Sequence, residues 1–498
     1  MSLKKNVIAN YVGQGWTALM GLIFVPVYIK YLGMEAYGLI GVFAMLQASL
    51  ALLDMGMTPT LSREMARYTA GAHSIESIRD LLRTMEVIAF IVAIFVGIGI
   101  WLGAVWLGTH WLQTEKIQAT VLIQAISIMG LVIALRFIEG IYRGAIVGLQ
   151  KQVWLSLTGA GLATLRSVGA VLVLVWVAPS IKVFFLWQGL VSLITIIIFI
   201  VATYCYLPIS KQSARFSVVQ LKFIWRFAGG MMVTTLLGII LTQIDKVVLS
   251  RLLNLEVFGY YTLAGTVAAT INQLISPVIQ AYYPRFTELV TQGNTDGLIK
   301  VYHQSAQLIS VLIIPATLML VFFGYKMLVL WTGNVILAEN VAPLLSLLAL
   351  GTMLNGFMHI PYLLTLAYGR TKFGVYQNFI AVILLVPSII FATLHYGAMG
   401  AVWMWLIFNT ISILIGVHFL YRYLLVTEKW RWYGKDIALP MLATSLVTWI
   451  FALMQPELEN KFLWLAWLLT TGIFSVATAW LVSPSLPLPR YFLSENKK

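Results

Sequence analysis

Apolar runs of about 20 residues, separated by short polar breaks, recur from one end of this chain to the other. They predict spans near 7–30, 35–57, 84–112, 117–141, 153–178, 181–207, 227–252, 257–283, 304–330, 340–367, 374–396, 400–424, 437–455 and 461–483, numbered 1 to 14 in chain order. Stretches such as 194–201 show no alternation of period two, so barrel strands do not fit. A helix satisfies its backbone amides within one segment, which hydrocarbon demands. The pattern therefore predicts an all-α integral membrane protein of about 14 transmembrane helices. The first run follows Lys4 and Lys5, is long, and has no convincing small-residue cleavage site after it, so it is expected to remain as span 1.

Composition sharpens this picture. Of 498 residues, 60% are hydrophobic and 10% charged, with mean hydropathy +0.90, where soluble domains carry roughly 25% charged residues. The net charge of +14 would suit a nucleic-acid partner, but in a membrane protein basic residues mark cytoplasmic loops, and no nucleic acid is expected. With Lys4 and Lys5 inside, the inner segments hold Arg63, Arg67, Arg79, Arg83, Arg143, Lys151, Lys211, Arg215, Lys222, Arg226, Arg285, Lys300, Arg370, Lys372, Arg422, Lys429, Arg431, Lys435, Arg490, Lys497 and Lys498. The outer ends hold Lys30, Lys116, Lys182, Arg251, Lys326 and Lys461, while Arg136, Arg166 and Lys246 fall within spans. A missed span would spread these charges over both faces, so the asymmetry supports the count and places both termini in the cytoplasm. The longest connections are expected around 58–83, 208–226 and 284–303, too short for a separate domain. One cysteine, Cys205, and no Cys/His cluster of ligand spacing point away from disulfides, metals and cofactors.

The chain also repeats itself. Tyr31-Leu32-Gly33-Met34-Glu35-Ala36-Tyr37-Gly38 after span 1 matches Leu252-Leu253-Asn254-Leu255-Glu256-Val257-Phe258-Gly259 after span 7. Arg63 and Gly71 before span 3 correspond to Arg285 and Gly293 before span 9. Two pseudo-symmetric six-helix lobes are therefore expected, 1–208 and 209–424, related by an axis along the membrane normal, with two additional helices and a cytoplasmic tail in 425–498. Such a pair would enclose a central cavity.

Leu53-Asp54-Met55-Gly56-Met57 with Arg63 downstream, and Gln243-Ile244-Asp245-Lys246 leading into Glu256-Val257-Phe258-Gly259-Tyr260-Tyr261, resemble the polysaccharide flippases of the multidrug/oligosaccharidyl-lipid/polysaccharide exporter superfamily. The resemblance covers spans 1 to 12 and is strongest around spans 1–3 and 7–9. It implies a V-shaped, alternating-access transporter of the bacterial inner membrane that moves polyprenyl-pyrophosphate-linked glycans for O-antigen-type surface polysaccharides, with contacts to polysaccharide polymerase machinery as a further partner.

Ionisable groups inside the membrane cost about 2.5–3.5 kcal/mol each on insertion scales and call for a partner or a use. Gly159, Ala163, Arg166 and Ala170 share one small-residue face of span 5, leaving room around a guanidinium suited to a phosphate. Arg166 is thus the first candidate for substrate binding. Arg136, Glu139 and Arg143 line one face of span 4, where Glu139 can pair with either arginine, so the cluster reads equally as helix-end support and as an entry site. Asp245 and Lys246 are adjacent in span 7 and are expected to point apart; Asp245 is the candidate for coupling to a proton or sodium gradient, and Lys246 for substrate contact. Asp54 reads as a helix cap or a partner of Arg63. Asn10, Gln14, Asn272 and Gln273 read as interhelical hydrogen-bond formers ahead of cavity lining. Pro26, Pro277, Pro315, Pro361 and Pro387 can kink their spans, and Trp101, Trp106, Trp111, Trp331 and Trp464 are placed in interfacial belts.

No nucleotide-binding motif, paired catalytic carboxylates or nucleophile constellation stands out, so no enzymatic activity is expected. A multidrug exporter on the same fold is the main alternative, against which Arg166 argues because cationic drugs favour acidic cavities. A membrane glycan polymerase or ligase would need a substantial outer loop, and every outer loop here is short.

Overall fold

A computed structural model describes residues 3–54, 56–208, 210, 214–369, 371–456 and 460–486, without the side chains of 3–10, 51, 219–235 and 371–374. The expectations placed on Lys4, Lys5, Asn10, Met55, Lys211, Lys222, Arg226, Arg370, Lys372, Arg490, Lys497 and Lys498 lie outside the described residues or side chains. Among the described residues there is no strand, and twelve helices are long and apolar enough to cross a membrane. Eleven of them correspond singly to spans 1–6, 8–10, 13 and 14. The twelfth, Val375–Tyr421, contains spans 11 and 12 joined across Gly397, whose φ of 59° and ψ of −145° break the helix. The turn is so tight that a Cβ on Gly400 would lie 2.1 Å from the Ala392 carbonyl oxygen. Span 7 is the helix Val218–Leu252. The protein is thus an all-α membrane protein.

The connections expected at 58–83 and 284–303 are mostly helical. Met57–Thr69 forms a helix of its own, span 3 begins at Ile75, span 8 runs to Thr291 and span 9 covers Thr295–Thr332. At 1.5 Å per residue the 38 residues of span 9 far exceed a core about 30 Å thick, so its polar first turns read as loop by hydropathy while remaining helix. Asp54 caps the Met57–Thr69 helix, accepting from the Thr58 amide at 3.1 Å and its hydroxyl at 2.6 Å. The repeated glycines Gly71 and Gly293 both turn the chain with positive φ, +82° and +66°, and in each case a polar side chain, Ser74 or Asn294, caps the next helix.

By its contacts the chain divides into two compact units, Met1–Gly259 and Tyr260–Lys498. This is a partition by packing; the lobes inferred from the repeat are a separate reading. In the first unit span 4 packs on spans 3 and 6, and span 1 lies along span 5. Met65, Leu82, Met85, Ile141 and Ala145 form a core where the Met57–Thr69 helix meets spans 3 and 4. Gly148 permits that approach, since a Cβ there would lie 2.3 Å from the Ser62 carbonyl oxygen. In the second unit span 9 packs on spans 8, 10, 13 and 14, with Phe323 against Trp464 and Leu468. Trp464 is therefore buried beneath the Lys326 ammonium and is not a belt residue, whereas Trp101 and Trp106 are exposed as the belt requires.

The two copies of the repeat, both within the first unit, face each other reciprocally. A Cβ on Gly38 would lie 2.2 Å from the Leu255 carbonyl oxygen, and one on Gly259 would lie 2.7 Å from that of Met34, the residue equivalent to Leu255. The extended segment after span 3 ties the copies together. Glu35 accepts from the amides of Glu115, Lys116 and Ile117 at 2.9–3.1 Å, and the Lys116 ammonium donates to Glu256 at 2.6 Å. The hydrogen bond and charge of Glu256 raise the Lys116 pKa above the ordinary lysine value. A raised pKa means the pair's contribution is complete below the normal lysine range and is lost only as pH rises through the raised value, so the tie persists into alkaline solution.

Gly38→Ala should force this contact apart and lower stability by about 1–3 kcal/mol. Gly21→Ala, where a Cβ meets nothing within 4 Å, is the control. Thermal unfolding in detergent measures both, and equal melting temperatures for the two variants would contradict the packing argument.

Candidate functional site

The intramembrane charges of the first unit separate into a fixed arginine and a loosely held one. Arg136 of span 4 is half-buried with its guanidinium 4.8 Å over the Phe43 ring, and its Nε is buried without a hydrogen-bond partner among the described residues. It donates one hydrogen bond to the Gln47 amide oxygen of span 2 and another, at 3.0 Å, to that of Gln188 in span 6. Three helices thus share one cation. Gln47, Gln188 and Phe43 were not among the residues singled out from sequence; the signal was an amide within an otherwise apolar run.

Glu139 does not pair with Arg136. Its Oε1 lies 3.8 Å from Arg143 one turn on, and its Oε2 lies 3.8 Å from Arg166 of span 5. Both distances are long for a hydrogen bond. Arg166 remains 26% exposed, and its Nε and the Glu139 Oε2 are buried without a hydrogen-bond partner among the described residues. Three guanidinium groups against one carboxylate leave the cluster positive. Span 1 runs beside Arg166, with the Trp16 indole donating to Thr164 at 2.9 Å and the Tyr28 hydroxyl to the Ser167 carbonyl at 3.2 Å. Along the small-residue face, a Cβ on Gly159 would meet nothing within 4 Å, while Ala170 is fully buried, so the face is open toward Gly159 and closed beyond Arg166.

Asp245 and Lys246 correct an expectation. Adjacent on the helix, they nevertheless meet: the Lys246 ammonium folds back to donate to the Thr242 carbonyl at 2.9 Å and lies 3.5 Å from Asp245 Oδ1. The flexible four-carbon stem of lysine spans the angle that separates the two Cβ atoms. The structure therefore brings Arg166, Glu139 and Arg143 together, sets Arg136 in a neighbouring network, and pairs Asp245 with Lys246. Gln14, Asn272 and Gln273 are exposed, which does not bear out the interhelical bonding expected of them.

A family model described as polysaccharide biosynthesis protein matches residues 3–290. The chain belongs to the polysaccharide biosynthesis protein family. Among curated proteins it is similar to a putative O-antigen transporter of Shigella flexneri, 20% identical over 411 residues that cover 81% of this chain and 94% of that one. It is also similar to the lipopolysaccharide biosynthesis protein WzxC of Escherichia coli K12, 23% identical over 49% of this chain and 50% of that protein. Among solved structures it shares the fold of the lipid II flippase MurJ in an inward closed conformation, with TM-score 0.71, 15% identity and coverage of 95% and 97%. An inward-facing multidrug resistance transporter of the MATE family has TM-score 0.64 at 13% identity, covering 82% and 95%. The matched family region contains Arg136, Glu139, Arg166, Asp245 and Lys246.

Arg136 and Arg166 should differ in stability. Arg136→Met leaves two amide oxygens without their charged donor and should cost about 1.5–3 kcal/mol, whereas Arg166→Gln, losing contacts of 3.8 Å, should melt close to the unaltered protein. Thermal unfolding of the purified variants reads the difference, and the reverse order would mean that Arg166 is the structural arginine.

Proposed function

We propose that this protein translocates polyprenyl-pyrophosphate-linked oligosaccharides across the bacterial inner membrane by alternating access of two six-helix lobes, 1–208 and 209–424, with both termini cytoplasmic. The observation that carries the reading is Arg166: a partly exposed guanidinium in the middle of a span, held by one distant carboxylate, with room beside it. A diphosphate offers the pair of anionic oxygens that a planar guanidinium can engage bidentately and that it lacks here. Glu139 and Arg143 complete the receiving cluster, and Arg136 adds fixed positive charge from the wall. Lys246 and Asp245 form a pair that substrate and cation can split, the ammonium turning to phosphate and the carboxylate to a proton or sodium ion. The lipid tail stays in the bilayer while the head reorients, so no bond is made or broken. Contacts with a polysaccharide polymerase belong to the same proposal, as the step that would consume the delivered unit.

A multidrug exporter on this fold would need to attract cations, which the excess of arginine over carboxylate opposes.

Arg166→Gln should reduce translocation about ten- to hundredfold, the loss of a charge-assisted contact worth roughly 1.5–3 kcal/mol, with Arg166→Lys intermediate. The measurement is complementation of a strain lacking its own flippase, with membrane insertion checked in parallel. Accumulation of lipid-linked repeat units on the inner leaflet is the expected phenotype; normal surface glycan in an inserted Arg166→Gln variant would remove the basis of the proposal.

A further inference from the structure

His303, in the third turn of span 9, is fully buried, and both of its ring nitrogens face carboxylates. Nδ1 is hydrogen-bonded to Asp436 Oδ2, and Nε2 to Glu428 Oε2 at 2.9 Å. A neutral imidazole carries one N–H, and an ionised carboxylate can only accept. Both bonds therefore require a further proton, held on the imidazole or on one of the acids, beyond the one a neutral histidine brings. The requirement comes from counting donors and acceptors alone.

The surroundings fix one acid and leave the other loose. Asp436 is fully buried; its Oδ1 accepts from the Gln307 amide at 2.8 Å and its main-chain carbonyl from the Ser310 hydroxyl at 2.6 Å. Gln307 in turn accepts from the Ser485 amide beyond span 14 at 2.7 Å. Glu428 keeps 15% of its side chain exposed and has Arg431 at 3.4 Å. The other titratable groups facing the site are Tyr302 of span 9, edge-on to the His303 ring at 5.5 Å, Tyr421 at the end of span 12, whose hydroxyl lies 2.6 Å from that of Tyr302, and Tyr433 on the same segment as Asp436. Lys429, beside them, is turned to His418 at 2.6 Å.

We infer that His303, Asp436 and Glu428 form a proton-binding site, opening to solvent through Glu428, whose occupancy sets how firmly the segment 428–438 holds span 9. On release, the Nε2 proton passes to Glu428 and from there to water. Neutral His303 keeps its Nδ1–H on Asp436, but its Nε2 lone pair now faces a carboxylate, and Glu428 moves out with Arg431. Rebinding reverses each step. On the acid side the limit is Glu428 itself: burial pushes its carboxyl up, but the hydrogen bond and charge of His303 and the charge of Arg431 outweigh that and hold it below the ordinary value. A depressed carboxyl pKa gives a tie that is complete above the ordinary range and is lost as pH falls through the lowered one. The site lies in the second unit, outside the Arg166 cluster, and does not depend on what the protein carries.

Hydrogen–deuterium exchange of segment 428–438 in the full-length protein in detergent, from about pH 5 to about pH 9 and corrected for intrinsic exchange, tests the inference without a transport assay. In the unaltered protein, protection should fall as pH rises through proton release, by at most about tenfold per pH unit for one linked proton. His303→Gln should abolish the pH step. Glu428→Gln should abolish it differently, by keeping the segment protected in alkali, because the glutamine amide can donate to the neutral Nε2. A merely structural ion pair would not produce that rescue. The inference is overturned if the unaltered protein shows no step across the range, or if the same step survives in Glu428→Gln, whose near-surface position makes it the variant least prone to misfold.

Discussion

A polar group in hydrocarbon must find its partner within the protein, and nearly everything in this molecule derives from that constraint. It makes every span a helix. It turns hydroxyls such as those of Thr195 and Thr203 back onto carbonyls one turn earlier. It also sorts the charges. Where other helices supply partners at hydrogen-bond distance, as around Arg136 and Asp436, the charge cross-links helices. Where the partners are long or incomplete, as around Arg166, the charge is only loosely held, which is what the proposed substrate role needs.

The same constraint explains the positions of the repeat glycines. Helices gain little from hydrophobic association inside a bilayer, so close backbone approach must supply the contact. Gly38 and Gly259 let the two copies of the repeat meet carbonyl to helix, and the ties at this end, backbone amides to Glu35 and the Lys116 ammonium to Glu256, sit on the matching acids of the same motif. One sequence motif thus provides both the approach and the electrostatic tie, and a duplication delivers both in register.

Span number and helical class were legible because hydropathy reports burial in lipid directly. Helix ends were less so: polar turns at the start of span 9 looked like a loop, which hid His303 among connecting residues although it lies on a buried face. The Glu139 partnership was half legible, since i,i+4 spacing predicts Arg143 but says nothing of Arg166 on the next helix. Gln47 and Gln188 escaped notice because an amide in an apolar run carries no charge to flag it. For Asp245 and Lys246, helical geometry set the Cβ directions correctly, but the reach of a lysine stem overrode them.

On the proposed reading, a carboxylate at the centre of an anion-receiving cluster looks self-defeating until release is considered. A site with bare arginines would bind a diphosphate tightly and hold it, whereas transport needs binding favourable enough to enter and weak enough to leave. Glu139 lies 3.8 Å from each of two arginines, and on that reading it would take Arg166 back when the headgroup departs. On the proposed reading it is a competitor for the cation, and the net gain on substrate entry is the difference between two ion pairs rather than the worth of one. Alternating access requires such a near balance, because a ligand moves an equilibrium between states only by its differential affinity for them.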